Sequence, residues 1–458
     1  MNGDIKQFER DLKRLLVQND RARFVFINNF EVEEHWVTSE TGKLPTLSAG
    51  AAKSVVNRME EMGLFLASKT DSLLLKQPID AEYRQYLEQN GFSFPQIITL
   101  EDHDPELNIT ENTLRCTATL EKLRNLDKEN LYLMPFGVSQ YEEALSEQVG
   151  IPLAVPSDTI FQRVNSKIYS RRLNEQLGIR QIPGCSAETI EELLQGFEQL
   201  KRYLSDGYKL VLKDAMGVSG KGLVVIDSEK KFGQCVKMLQ KDLARSKVNA
   251  IHFVLELWIE KTCDLNHQFI IGRDGSIHFH CVKEALVANG VHQGHLIPSR
   301  LTDEQIAELR EVQQKIGQSL YADGYYGVVG IDAILDQNGT IWPNLEINAR
   351  FNMSTYQSVI QERLIDDSKT ALIKQYTLKL QKRLPFRTLA DTLGDLLFDE
   401  QRGTGFLINN FATVNVAHVA DGERFNGRLY GVIIVERGEN LHDLDARIED
   451  KLSTLQEG

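Results

Sequence analysis

A mixed fold is predicted for this chain of 458 residues: an α/β first third followed by α+β architecture. Three observations predict it. Up to about residue 150, strand-like and helix-like stretches alternate one by one, the pattern of an open parallel sheet whose ligand crevice lies at the strand C-termini. Beyond that point hairpin signals dominate, in "GVSGKG" (217–222), "GRDGS" (272–276) and "DQNGT" (336–340). After Pro385 a helix, two strand-like runs and a terminal amphipathic helix read as a small α+β unit. The length suits roughly three domains of ~150 residues, with boundaries expected at 1–150, 151–360 and 361–458.

In chain order, residues 1–18 form a charged amphipathic helix, and "RFVFINNF" is a buried strand running into Asn28 and Asn29. Residues 48–67 have helical spacing behind Ser48, a candidate N-cap. "DSLLLKQPI" and "FPQIITL" are strands around the helix "AEYRQYLEQNG", which Gly91 closes. Residues 156–178 read as one helix of about 20 residues stopped by Gly178. Composition bounds the function. With 42% hydrophobic and 26% charged residues the chain is globular. A net charge of −13 disfavours a nucleic-acid surface, which needs clustered Lys and Arg. The charged N-terminus excludes a signal peptide, and no run of ~18 apolar residues offers a membrane span. Five scattered cysteines, Cys116, Cys185, Cys235, Cys263 and Cys281, form no C-x-x-C pair and suit reduced thiols in the cytoplasm.

The most informative stretch is "YKLVLKDAMGVSGKGLVVI" (208–226). It is not a P-loop, because Ala215 stands five before Gly220 and Lys221 is followed by Gly222. It is not a dinucleotide fingerprint either, since the glycine spacing differs and a strand follows. A flexible hairpin tip bearing Gly217, Ser219, Gly220, Lys221 and Gly222, with Lys213 before it, remains; phosphate is the ligand it suits, against an ordinary solvated turn.

Downstream, "IHFVLELWIE" (251–260) offers an apolar slot and a peptide edge for a planar base. Leu257 C=O and Ile259 N–H flank Trp258, and Glu256 is placed to accept from an exocyclic amine. An Asp274-Gly275 hairpin would pair Ile271 with His278 and Gln268 with Cys281, putting Asp264, Asn266, Gln268, Cys281 and Lys283 on one face. His267, His278 and His280 then share the other face, an alternative metal site. "GVHQGHLIPSR" (290–300), with His292, His295 and Arg300, reads as a loop over the site.

The sharpest signal is "YYGVVGIDAILDQNGTIWPNLEINARFNMST" (325–355). Asp332 on one strand and Glu346 with Asn348 on the next form an oxygen-rich set suited to Mg²⁺. Parity imposes a condition. A two-residue Asn338-Gly339 turn separates Asp332 from Glu346, whereas a three-residue Gln337–Gly339 loop with left-handed Gly339, or a bulge, puts both acids on one face. Arg350 follows where a fixed cation neutralises phosphate.

The order of these motifs, over about residues 155–360, resembles that of ATP-grasp ligases. The resemblance implies an ATP-grasp fold, two α+β subdomains clasping ATP (the lid at about 180–258), behind a Rossmann-like pre-ATP-grasp domain. It implies that Lys167 and Lys213 contact ATP, that "GVSGKG" covers the β/γ-phosphates, and that Glu256 with the Leu257–Trp258–Ile259 linker holds adenine. Asp264 falls at a ribose position. Asp332, Glu346 and Asn348 match the Mg²⁺ ligands (Mn²⁺ being an alternative ion), and Arg350 the arginine that steadies an acyl phosphate; Lys283 and Arg300 complete the catalytic set. "LPTLSAGAAKSVVNRMEEMGLFLA", "YLEQNGFSFPQIITLED" and the C-terminal extension resemble a narrower group, the pheganomycin-type peptide ligases and the butirosin ligase that loads glutamate onto a carrier protein.

The expected reaction is ATP-dependent amide formation through an acyl phosphate, with no protein nucleophile. Its partners are a small carboxylate (an amino acid or peptide) and an amine or carrier-protein thiol, with no nucleic acid or membrane; a homodimer is an assembly the reading admits. A non-catalytic ATP-binding regulator and a histidine metalloenzyme are the rivals.

Overall fold

The computed structural model describes residues 7–36, 41–42, 53–216, 222–246, 250–288 and 291–456. Four parallel strands form the first sheet: β1 (Arg23–Ile27), β2 (Ser72–Leu75), β3 (Gln96–Thr99) and β4 (Leu131–Pro135). Their order is β3-β2-β1-β4. Successive connections therefore run one way from β1 and then cross to its other side. Asn28, Asn29 and Phe136 follow β1 and β4 at this reversal, where open α/β sheets hold ligands.

The helix expected over 48–67 is instead a short α-helix, Lys53–Val56, and a 3-10 helix, Met59–Phe65; Ser48 lies outside the described residues. The Met59–Phe65 turn is wholly buried, including Glu60 and Glu61, and burying every face removes the amphipathic reason for one regular helix. The expected helix 156–178 is also two, Asp158–Val164 and Lys167–Leu177. Asn165 breaks it: its amide binds both backbone groups of Ala349, at 2.8 and 3.2 Å. Ser166 then caps the second helix by accepting from Ile168 N–H at 3.2 Å.

A second, antiparallel sheet is built from β5 (Gly184–Ala187), β6 (Leu210–Asp214), β7 (Leu223–Ile226) and β8 (Phe253–Leu257), in the order β5-β8-β6-β7. Helices Ile190–Ser205 and Glu229–Ser246 join its separate hydrophobic core through stacked Phe197 and Phe232, 3.7 Å between ring centroids.

The central sheet has eight strands. Its members are β9 (Lys261–Ile271), β10 (Ile277–Ala288), β11 (Val291–Ile297), β12 (Gly327–Asp336), β13 (Ile341–Asn348), β14 (Lys369–Leu380), β15 (Gly405–Asn410) and β16 (Phe425–Glu436). They run in the order β13-β12-β9-β10-β11-β14-β16-β15. The stretch expected as a loop over the site, 290–300, is largely β11, hydrogen-bonded between β10 and β14. The last hundred residues do have α+β content, but their strands extend this sheet and share one core with the parallel sheet.

Close contact at the β11–β14 seam requires glycine. A Cβ on Gly294 would sit 1.6 Å from the Ile373 carbonyl oxygen, a backbone atom with no room to yield. Gly294→Ala is expected to destabilise the chain by roughly 3 kcal/mol or more, read as a lowered denaturant midpoint, with Gly178→Ala, where nothing lies within 4 Å, losing less.

Candidate active site

The β12–β13 hairpin brings two acids together. Asp336 and Thr340 close a three-residue loop, Gly339 adopts φ +79°, and Asp332 pairs directly with Glu346. A register shift lies between Asp332 and Ile334. The odd loop meets the parity condition, because two residues of slippage leave the facing side chains unchanged. Asp332 accepts from Asn266 Nδ2 at 2.9 Å and Asn348 Nδ2 at 3.1 Å. Burial first, and the neighbouring Glu346 carboxylate second, push the Asp332 carboxyl up to about 6. Two facing carboxylates on a desolvated ledge are the environment a divalent cation relieves.

Cations ring this ledge. Lys167, the first residue of its helix because Asn165 and Ser166 break the chain before it, donates to Glu346 Oε1 at 2.6 Å. Arg350 donates to Asn348 Oδ1 at 2.8 Å and to Phe351 O at 2.9 Å. Its guanidinium lies 5.2 Å from the Phe136 ring centroid and pairs with Glu33. Phe351 N–H in turn donates to Phe136 O at 3.0 Å, so the arginine loop is docked at the switch point of the parallel sheet.

On the second sheet, Lys213 at the end of β6 donates to Glu256 on β8, and Arg171 stands 3.5 Å from the same carboxylate. Arg171, Glu256 and Lys167 border a narrow cleft completed by Asn174, Val254 and Asn344. Leu257 N–H and Trp258 N–H are engaged by Pro183 O and Lys209 O, at 2.9 and 2.8 Å, so Ile259 carries the next N–H along the linker. Asp264 shares the face of Asn266 and pairs with Lys261 at 2.6 Å. Gly222 is left-handed at φ +76°; Gly217, Ser219, Gly220 and Lys221 lie outside the described residues.

Two expected catalytic groups sit differently. Lys283, opposite Asn266 and fully buried, donates to Ser354 O at 2.8 Å and Gln357 Oε1 at 3.2 Å. Burial lowers its ammonium to about 8. Arg300 clasps Glu284, whose position next to Lys283 puts its side chain on the opposite face of β10. The structure thus brings Arg300 to Glu284 rather than to the Asp332–Glu346 ledge.

The histidine alternative fails. The "GRDGS" loop has three residues, closed by Gly272 N–H to Ser276 O at 2.8 Å, so Ile271 pairs with Ile277 instead of His278. A bulge before Gln268–Cys281 absorbs the difference and turns His278 away from the His267 face. Each ring has its own protein partner: His267 with Pro343 O and Gln313, His278 with Ser276, His280 with Ser358. Among the described residues no group of three His, Cys, Asp or Glu side chains is placed to hold a metal.

Burial holds His267 at about 4 and His280 at about 3, below their ordinary 6.5. The unfolded chain therefore takes up protons between pH 6.5 and 4 that the folded chain refuses, so stability is lost as pH falls through that window. Denaturant midpoints at pH 7 and 4.5 are expected to differ less for His267→Gln than for the parent, by on the order of 2 kcal/mol.

Glu33 and Arg171 escaped the sequence reading because their partners lie far along the chain. Asn266 carried a signal: alternation already put it on the Asp264 face.

A family model described as the pre-ATP-grasp domain matches residues 59–151, and one described as the ATP-grasp domain matches 172–376. The chain is 30% identical over 315 residues, 68% of each protein, to the [butirosin acyl-carrier protein]–L-glutamate ligase of Niallia circulans. The chain belongs to the ATP-grasp family. Solved structures agree on the fold. The N5-carboxyaminoimidazole synthetase of Staphylococcus aureus, complexed with ADP, superposes with TM-score 0.51 at 17% identity, over 91% of this chain and 100% of that one. Rhizobium etli pyruvate carboxylase gives 0.55 at 13%, over 94% of this chain and 37% of that one. As an ATP-grasp ligase the chain is an enzyme, not the regulator weighed from sequence: it activates a carboxylate with ATP as an acyl phosphate and passes it to a nucleophile. Among the described residues no helix is long and apolar enough to cross a membrane.

Proposed function

We propose that this ATP-grasp ligase activates an amino acid or short peptide and joins it to an amine. The observation that carries the residue assignment is the direct pairing of Asp332 with Glu346 beside Arg350. Carboxylate and amide oxygens of Asp332, Glu346 and Asn348 suit Mg²⁺, or Mn²⁺ in its place, which when bound screens the phosphate charge. Asn348 donates its Nδ2 to Asp332 and accepts at Oδ1 from Arg350, so an amide turn presents its oxygen to the ledge.

ATP binding replaces protein ion pairs with phosphate contacts: Lys167 leaves Glu346 and Lys213 leaves Glu256. Glu256 and the Leu257–Trp258–Ile259 linker then face adenine, and Asp264 the ribose. The substrate carboxylate oxygen attacks the γ-phosphorus; an O–P bond forms, the β–γ bridge bond breaks, and its electron pair departs on ADP. Arg350 steadies the resulting acyl phosphate. The amine nitrogen then attacks the acyl carbon, inorganic phosphate leaves, and the nitrogen loses a proton. Lys283, sealed from solvent, fixes Ser354 and the helix start beneath the ledge.

A second reading, transfer to a carrier-protein thiol, is favoured by the Niallia circulans relative, named for a glutamate–carrier-protein ligase. ADP release screened over amino acids and peptides, against amines and carrier proteins, with products weighed by mass spectrometry, separates the two. Activity dependent on an amine supports the first reading; a thioester on the carrier alone replaces it.

A further inference from the structure

Away from the nucleotide cleft, a cavity of about 380 Å³ opens beyond the C-terminal ends of β2 and β3. Arg58, Lys76, His103 and Arg383 line it, and Phe411 and Asn415 of the C-terminal segment close its far side. Lys76 is only 1% exposed and Arg58 6%. Arg58 donates to Glu60 Oε1 at 2.8 Å. Lys76 Nζ donates to the Leu107 carbonyl instead, and among the described residues no carboxylate touches it.

The acids in the wall are engaged elsewhere. Glu61 accepts from Phe411 and Ala412 N–H, both at 2.8 Å, and burial raises its carboxyl toward the neutral form. Asp80 caps helix Ala81–Gln89, accepting from Glu82 and Tyr83 N–H at 3.0 and 3.1 Å. Arg383 is exposed at the mouth and makes no ion pair among the described residues. The resulting field reaches His103, whose ring is lowered by burial and then by Lys76 and Arg58, against smaller opposing effects of Asp102 and Asp104.

Holding an ammonium and a guanidinium out of water costs free energy that a bound anion recovers, and the volume falls in the range of small-molecule pockets. We propose that this cavity is a second binding site, taking the carboxylate or phosphate group of a small polar molecule, held by Lys76, Arg58 and Arg383. It stands independently of the residue roles assigned in the nucleotide cleft.

The test titrates glutarate and inorganic phosphate, by calorimetry, into the full chain already holding Mg²⁺ and a non-hydrolysable ATP analogue. The analogue's own isotherm is recorded first; its absence would sink the nucleotide assignment and leave the anion titration standing. One saturable anion equivalent is expected, weakened at least tenfold in Arg383→Glu with nucleotide affinity unchanged. The His103 imidazole, followed by NMR, is expected to move to a higher pKa when the anion seats. No saturable binding, equal affinity in Arg383→Glu, or an unmoved His103 overturns the site. If Arg383→Glu raises the KM for the carboxylate, the anion belongs to a substrate; if turnover is unchanged while glutarate binding is lost, it belongs to a separate effector. Either of these last results upholds the site.

Discussion

Glu346→Ala loses ADP formation by about 100–1,000-fold, while the chain keeps its circular dichroism and its melting cooperativity. The magnitude follows from what the residue does. It is one of two facing carboxylates, on the proposed function a holder of the charge-screening ion, and groups aimed at developing transition-state charge contribute ~3–4 kcal/mol each to kcat. The substitution also removes the carboxylate that Lys167 pairs with at 2.6 Å. ATP affinity is therefore expected to fall less than kcat, since Glu346 no longer competes with phosphate for that lysine. Removal of divalent ions by chelation should match the variant's rate, and Mg²⁺ or Mn²⁺ should restore only the parent. Near-normal turnover in Glu346→Ala would refute the ledge as the metal site.

Arg350→Ala lowers kcat by about 100–1,000-fold, the usual cost of removing one charged group that stabilises the transition state, with a smaller change in the KM for ATP. Arg350 is held on three sides, by Asn348, Phe351 O and Glu33, and it lies over Phe136. Glu33 pairs with it and is expected to act through it, as a positioning residue. Glu33→Gln should lower kcat about tenfold, because a charge-assisted contact becomes a neutral one, and Glu33→Asp should recover part of the loss. A merely structural role for Glu33 would instead lower the melting temperature and leave kcat per folded molecule unchanged. Rapid-quench measurement of acyl phosphate separates the two steps: Arg350→Ala accumulates less of it, whereas a defect confined to the second step accumulates more.

Much of this site could be read in the sequence because it is local. Asp332, Glu346, Asn348 and Arg350 stand on one hairpin and its tail, and strand alternation with one turn length decides which way they face. Lys213 and Glu256 were each visible in their own strands, but their contact follows from β6 pairing with β8 across the intervening helix. The misreadings came from burial. The stretch 290–300, rich in His and Gly, reads as a loop over the site, yet close approach of β14 at Gly294 makes Val291–Ile297 an interior strand. The 48–67 stretch looked amphipathic, yet its described part packs on all sides and folds as separate short turns. One bulged residue was enough to separate three histidines that a straight ladder would have aligned.

By itself, then, the order of residues determined the class of architecture, the strand-borne acids and the places of Lys167 and Lys213 on a helix and a strand, since these depend on periods of two and 3.6 residues and on turn chemistry. Only the tertiary structure decided that Glu33 meets Arg350, that Arg300 is drawn to Glu284, and that the C-terminal strands complete the central sheet. Such contacts join residues up to hundreds of positions apart, and nothing in local propensity specifies them; they are set by which apolar faces bury one another first and by which charges are left to pair across the seam.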